Sequence, residues 1–281
     1  MTIEQRALRF QCQGEWLFGV ASLPAQPNKR GVIVVVGGPQ YRVGSHRQFT
    51  LLARELAMQG TPVLRFDYRG MGDSAGAPQP FDDIDDDLRA AIDHFTGGGY
   101  GVSEVVLWGL CDGASAALFY APQDPRVTGV VLANPWARSA EGIAKTTLKH
   151  YYRRRLLEPA FWKKMFSGRF NAASALGSFA RLLGAAAAAP ATGGACAAPP
   201  LRERMRGGLA QFKGRVLLLT SGIDLTAQEF LEMEKSSPEW KSLLARPQVS
   251  RQVLPDADHT FSRRAWRDQV AQVTAQWLAC W

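Results

Sequence analysis

From Gly31 to Val36 the chain reads Gly-Val-Ile-Val-Val-Val, closed by Gly37-Gly38-Pro39. No polar residue interrupts this run. A strand built from it has no face for water and belongs inside a sheet covered on both sides. The same punctuation recurs along the chain: strands at Pro62–Phe66, Glu104–Trp108 and Val127–Ala133 alternate with helices at Ile84–Phe95 and Asp112–Tyr120. Ser45 with Gln48 three residues on has the form of a capping box for a helix carrying Phe49, Leu52, Leu56 and Ala57. Strands and helices alternating at this interval require right-handed crossovers and a mostly parallel, twisted sheet flanked by helices. Ahead of them, Leu8–Phe10 and Trp16–Val20 flank a Gly14 turn and read as a strand pair.

After Pro135 the rhythm stops for about 75 residues. It resumes with strand Val216–Thr220, a helix from Thr226, strand Gln248–Leu254 and a closing helix Ser262–Trp277. Residues 1–136 and 212–281 therefore form the expected α/β core. Residues 137–211 form an inserted helical cap, helical over Lys145–Phe166, with an Ala/Gly/Pro-rich loop at Gly184–Pro200. An excursion between two sheet strands covers the edge where such folds bind ligands.

The 281 residues are 46% apolar and 21% charged, which excludes disordered, collagen-like and coiled-coil classes. The polar N-terminus lacks the layout of a signal peptide, and no apolar run reaches about 18 residues. The expected location is cytoplasmic, with no transmembrane segment. Cys12, Cys111, Cys196 and Cys280 lie far apart, so neither a disulfide framework nor a zinc site is expected. The net charge of +8 is unevenly spread: Arg138–Arg215 holds 15 Lys or Arg against Glu141, Glu158 and Glu203. That segment carries +12 and the remainder −4, which points to an anionic partner for one region.

The chemistry concentrates at Val105-Val-Leu-Trp-Gly109-Leu-Cys111-Asp112-Gly113-Ala-Ser-Ala. A strand running into Gly-x-Cys-x-Gly and then a small-residue helix is the layout of a nucleophile elbow. Cys111 at a helix N-terminus favours thiolate, because unpaired amides there stabilise negative charge. A buried structural cysteine is the competing reading. Asp224 and His259 each follow a strand, and the order Cys, Asp, His is the one this architecture uses for a triad. His259 would carry the proton and Asp224 would orient the imidazole. Asp256 and Asp258 are rival acids, but a neighbour in the same loop seldom reaches the far imidazole nitrogen. His46, His94 and His150 suit surface or packing roles. Oxyanion donors are expected from the backbone of Asp112 and from Gly38 or Gln40, since Pro39 has no N–H.

Gly70-Met-Gly72-Asp-Ser-Ala75 is a loose dinucleotide-binding match, but Pro78 and Pro80 follow where a helix would have to open. No cofactor is expected. The acids Asp82 to Asp87 suit a helix N-terminus better than a metal site, so no metal is expected either.

Taken in order, GGPQ, FDYRGMGDSAG, GLCDGASA, SGID and DADHTF resemble the α/β-hydrolase superfamily over nearly the whole chain outside the insertion. More narrowly, GGPQYRVGSHRQF, RFDYRGMGDSAG and WGLCDGASA resemble the exosortase A system-associated hydrolase 1 family, bacterial proteins encoded beside exosortase and exopolysaccharide genes. The resemblance implies an eight-stranded core and a cytoplasmic hydrolase. Most of the superfamily has serine where this chain has Cys111. Dienelactone hydrolases and some acyl-transferring members have cysteine there, which implies a thioester intermediate.

The expected activity is hydrolysis of an ester or thioester, with acyl transfer to an acceptor as the alternative. The substrate would be a small acyl compound, possible carriers being an acyl carrier protein or coenzyme A. Arg153, Arg154, Arg155 and Trp162 are candidate cap residues for an anionic carrier, and nucleic acid is not the expected partner. A binding protein on a retired hydrolase fold and a nucleic-acid or anionic-surface binder are the competing classes.

Overall fold

The computed structural model describes residues 2–38, 40–137 and 199–281. An eight-stranded sheet runs through it in the order β1-β2-β4-β3-β5-β6-β7-β8. Its strands are β1 Ile3–Cys12, β2 Glu15–Pro24, β3 Arg30–Val35, β4 Val63–Asp67, β5 Glu104–Leu110, β6 Val127–Ala133, β7 Arg215–Ser221 and β8 Val249–Leu254. β1 and β2 form an antiparallel hairpin that joins β4 antiparallel, and every later pairing is parallel.

The unbroken apolar run of β3 is explained by its neighbours on both faces. Ile33 and Val35 lie in one buried cluster with Leu107, Val130 and Leu218. Val32 and Val34 lie in the other, with Val106, Trp108, Val131 and Leu217. The first face is covered by α2 (Asp85–Gly97), α3 (Asp112–Tyr120) and α4 (Leu201–Gln211), and the second by α1 (Gln48–Met58) and α7 (Arg264–Ala279). Burying each large apolar side chain contributes roughly 1.5–3 kcal/mol relative to exposure. Trp108 meets the edge of Phe49 at 5.8 Å, and its Nε1 donates to Thr274 Oγ1 at 3.4 Å, so its polar atom has a partner. Two further helices, α5 (Leu225–Ser236) and α6 (Pro238–Leu244), lie between β7 and β8.

Two expectations need correction. Ser45 does not cap α1. The N-cap is Arg47, with left-handed backbone at both His46 and Arg47, and the Val43 carbonyl accepts from the Phe49 and Thr50 amides instead. Three consecutive turn residues after Gly44 shift the helix start past the serine, whose hydroxyl accepts from Gln40. Residues 201–211 also lie within the expected insertion, yet they form α4, whose Met205 and Leu209 are buried with the core. The expected helix over Lys145–Phe166 and the Ala/Gly/Pro-rich loop up to residue 198 lie outside the described residues.

The flanks of residues 138–198 are tied together. Arg202 Nε donates to the Ala137 carbonyl at 2.9 Å, across 65 residues of sequence. Arg202 also pairs with Glu229, and Arg204 pairs with Asp82. This root sits beside the elbow, because the Trp136 amide donates to the Cys111 carbonyl at 3.2 Å. Among the described residues, no helix is long and apolar enough to cross a membrane.

Candidate active site

Cys111 stands between β5 and α3 with φ 60° and ψ −123°, a conformation that costs a non-glycine residue about 1–3 kcal/mol. The surroundings hold it there. Its amide donates to the Ala133 carbonyl at 2.9 Å, and its carbonyl accepts from Ala114, Ser115 and Trp136. The flanking glycines are required by close approach: a Cβ on Gly109 would lie 2.3 Å from the Gly113 oxygen, and one on Gly113 would lie 2.5 Å from the Val35 oxygen. The Gly-x-Cys-x-Gly spacing is thus the steric condition for turning a strand into a helix this sharply.

His259 lies in the loop after β8, and its Nδ1 is 2.8 Å from Asp224 Oδ2. Asp224 is the N-cap of α5, and its carboxylate also accepts from the Thr226 and Ala227 amides at 3.2 and 3.0 Å. With Nδ1 turned to the acid, the other ring nitrogen is left for the Cys111 thiol. The hydrogen bond to Asp224, followed by the interaction with Cys111, pushes the imidazole up from 6.5 to about 10 against the opposing effect of burial. The structure thus brings Cys111, His259 and Asp224 together from the ends of β5, β8 and β7.

The rival acids are placed otherwise. Asp258 accepts from the Ser262 amide at 2.9 Å and from its hydroxyl, and Asp256 is exposed. Of the other histidines, His94 stacks on Phe10 at 5.1 Å with its pKa lowered by burial, and His46 is exposed. The acids of the α2 start are engaged one by one: Asp87 with Arg69, Asp82 with Arg204, Asp85 with Gln123 and Asp86 with Gln13. Among the described residues, no group of three or more His, Cys, Asp or Glu is arranged to hold a metal ion.

The two candidate amides of the loop after β3 are placed differently. The Gln40 amide donates to the Gly37 carbonyl at 3.3 Å and its side chain reaches Ser45, so Gln40 is withdrawn as an oxyanion donor. The tight turn at Gly37–Gln40 uses that N–H internally. Gly38 instead lies against the elbow, where a Cβ on it would be 3.2 Å from Asp112 Oδ2. The loop is braced from β4: Asp67 accepts from the Arg42 amide at 2.6 Å, pairs with the Arg42 guanidinium and accepts from the Asp73 amide. Asp67 and the segment after it thus brace the loop after β3. Arg153, Arg154, Arg155 and Trp162 lie outside the described residues.

Two buried polar residues that the sequence reading passed over hold the histidine loop. Asn134 Nδ2 donates to the His259 carbonyl at 2.9 Å and to Ser221 Oγ at 2.8 Å, while Ser221 Oγ donates to the Asp258 carbonyl at 2.9 Å. The signal available was an asparagine closing an apolar strand, here with φ 43°. A cavity of about 300 Å³ lined by Arg30, Glu104 and Trp281 lies at the opposite, amino-terminal ends of β3 and β5.

An elbow cysteine at the carboxyl edge of a parallel sheet, with histidine and acid from later strand ends, defines the α/β class of hydrolase. Residues 32–273 match the alpha/beta hydrolase family model, and the chain belongs to that family. Solved structures share the fold over nearly its whole length. An esterase of Pyrococcus furiosus is similar with a TM-score of 0.67 at 16% identity, covering 99% of this chain and 91% of that one. A dienelactone hydrolase from Anabaena variabilis gives 0.61 at 17% identity, covering 99% and 98%. The esterase domain of a Rhodothermus marinus protein gives 0.58 at 22%, covering 98% and 97%. No curated protein sequence matches the chain.

Proposed function

We propose that this chain cleaves ester or thioester bonds by covalent catalysis through Cys111, His259 and Asp224. The observation that carries the reading is the His259 imidazole, held at 2.8 Å by the Asp224 carboxylate, together with a cysteine at φ 60° on the strand-to-helix elbow. In the acylation half, Cys111 Sγ, its proton already held by His259, forms a bond to the substrate carbonyl carbon. The oxygen gains negative charge against the Gly38 and Asp112 amides. Collapse breaks the bond to the leaving group, which takes the proton back from His259 and leaves an acyl thioester on Cys111. Water, deprotonated by His259, then releases the acid and restores the thiol.

A thioester is also a transferable acyl group, so transfer to an acceptor is the alternative outcome of the second half. Ile223 and Leu225, exposed on either side of Asp224, offer apolar surface for an acyl chain. The +12 balance of Arg138–Arg215 favours an anionic carrier such as an acyl carrier protein or coenzyme A, with Arg153, Arg154, Arg155 and Trp162 as its candidate contacts. The narrower resemblance, to the exosortase A system-associated hydrolase 1 family, rests on the GGPQYRVGSHRQF, RFDYRGMGDSAG and WGLCDGASA motifs.

The test is to mix the protein with p-nitrophenyl and thiophenyl esters of short acids, quench in acid and map the acyl group by peptide mass. An acyl group on the Cys111 peptide, absent after Cys111→Ala, is the expected result. Turnover without any acyl group on Cys111, undiminished in Cys111→Ala, would remove the covalent mechanism.

A further inference from the structure

Oxyanion donors are expected to point into space that a substrate oxygen enters. Here a carboxylate lies between the elbow and the β3 loop. The side chain of Asp112, the residue after the nucleophile, accepts from the Gly113 amide at 3.0 Å and lies against the β3 loop, where a Cβ on Gly38 would be 3.2 Å from its Oδ2. The β3 loop and the elbow therefore close on one resident group. The fit is close on the loop side too, because a Cβ on Gly37 would lie 1.9 Å from Asp112 Oδ1.

We propose that Asp112 is a built-in occupant of the oxyanion pocket, and that acyl transfer by Cys111 requires its carboxylate to swing out. The inference rests on the covalent role of Cys111 proposed above and adds a gate to it. Amides aimed at a developing oxyanion also bind a carboxylate, which presents the same charge and similar geometry. Burial pushes the Asp112 carboxyl up from its ordinary range, while backbone hydrogen bonding and the nearby His259 pull it down. Swinging out gives up the Gly113 amide and returns the carboxylate to water. The rate on any substrate scales with the fraction of molecules whose carboxylate is out. Substrates with binding energy remote from the reacting carbonyl can stabilise the open state, whereas small esters cannot.

The experiment compares wild type, Asp112→Ala, Asp112→Ser and Asp112→Asn with p-nitrophenyl acetate, following the p-nitrophenol released as Cys111 is acylated. Asp112→Ala and Asp112→Ser are expected to acylate about tenfold faster or more, since a single oxyanion donor alters rates by about 10²–10³. Asp112→Asn keeps an oxygen in the pocket and should gain less than either small variant. The vacated pocket should also accept an external anion: sodium formate should inhibit Asp112→Ala competitively and leave wild type unaffected. The two small variants guard against one failing to fold.

Equal or slower acylation in both small variants, with Cys111 still alkylated by iodoacetamide at the wild-type rate, would overturn the gate and leave the covalent role standing. Equal rates would return Asp112 to a plain helix cap, and slower ones would make it an aid to catalysis. If Cys111 is neither alkylated nor acylated in any variant, the covalent role fails and the gate with it.

Discussion

Cys111→Ala and His259→Ala are each expected to lower kcat/KM on an activated acyl ester by about four orders of magnitude or more. The two losses should not multiply in the double variant. Sulfur and imidazole act as one unit: without the thiol there is no atom to take the acyl group, and without the imidazole no group holds the thiol proton and returns it to the leaving group. The geometry gives no substitute for either. Cys12 is buried elsewhere with its thiol pushed up to about 11 by burial, and His94 is stacked on Phe10. Circular dichroism should show both variants folded, because the elbow is held by backbone hydrogen bonds of Cys111 and by Gly109 and Gly113, which the substitutions leave intact. A single variant keeping a tenth of the activity would mean that another residue carries the chemistry.

Asp224→Asn is expected to cost about two to four orders of magnitude in kcat, while Asp258→Asn stays within a few-fold of wild type. The difference follows from where each carboxylate is held. Asp224 faces His259 Nδ1 at 2.8 Å, whereas Asp258 braces its own loop through Ser262. An amide at 224 can still cap α5 with its oxygen, so the loss would come from the imidazole and not from the helix.

The same variant has a titration signature. Asp224 is the largest cause of the raised His259 pKa, so nuclear magnetic resonance should find the imidazole half-protonated near pH 10 in wild type and distinctly lower in Asp224→Asn. The sign is fixed by the partner: a carboxylate beside the ring favours the charged form, so removing the charge releases the proton at lower pH. An unchanged midpoint, or a crippling effect of Asp258→Asn, would reassign the acid.

Much of this was legible in the sequence because sterics left few alternatives. A strand apolar at every position needs cover on both faces, and β3 has it. Glycines two residues to either side of Cys111 are demanded by the approach of Gly113 and Val35, so the motif reports the turn directly. Asp224 could be preferred to Asp258 because loop geometry favours an acid from a different strand end.

What escaped depends on contacts between distant segments. Ser45 and Gln48 have the spacing of a capping box, but backbone conformation at His46 and Arg47 decides the helix start. Helix α4 reads as part of a basic insertion because only Met205 and Leu209 of its face are large, buried and apolar. Helix α6 carries a readable signal in Ser237 and Pro238, but spans only seven residues. The exclusion of Gln40 and the seat of the Asp112 carboxylate follow from how the β3 loop closes over the elbow, and local pattern does not encode that distance.

The most direct measurement of the central claim is the rate at which iodoacetamide labels each cysteine at neutral pH, resolved by peptide mass. Cys280 is exposed and so provides an ordinary accessible thiol in the same molecule, while Cys111 is half-buried. Accessibility alone predicts faster labelling of Cys280. Activation by His259 predicts that Cys111 labels well ahead of Cys280, Cys12 and Cys196, and that His259→Ala removes its lead. Labelling of Cys111 no faster than Cys280, or a lead untouched by His259→Ala, would contradict an activated nucleophile at the elbow.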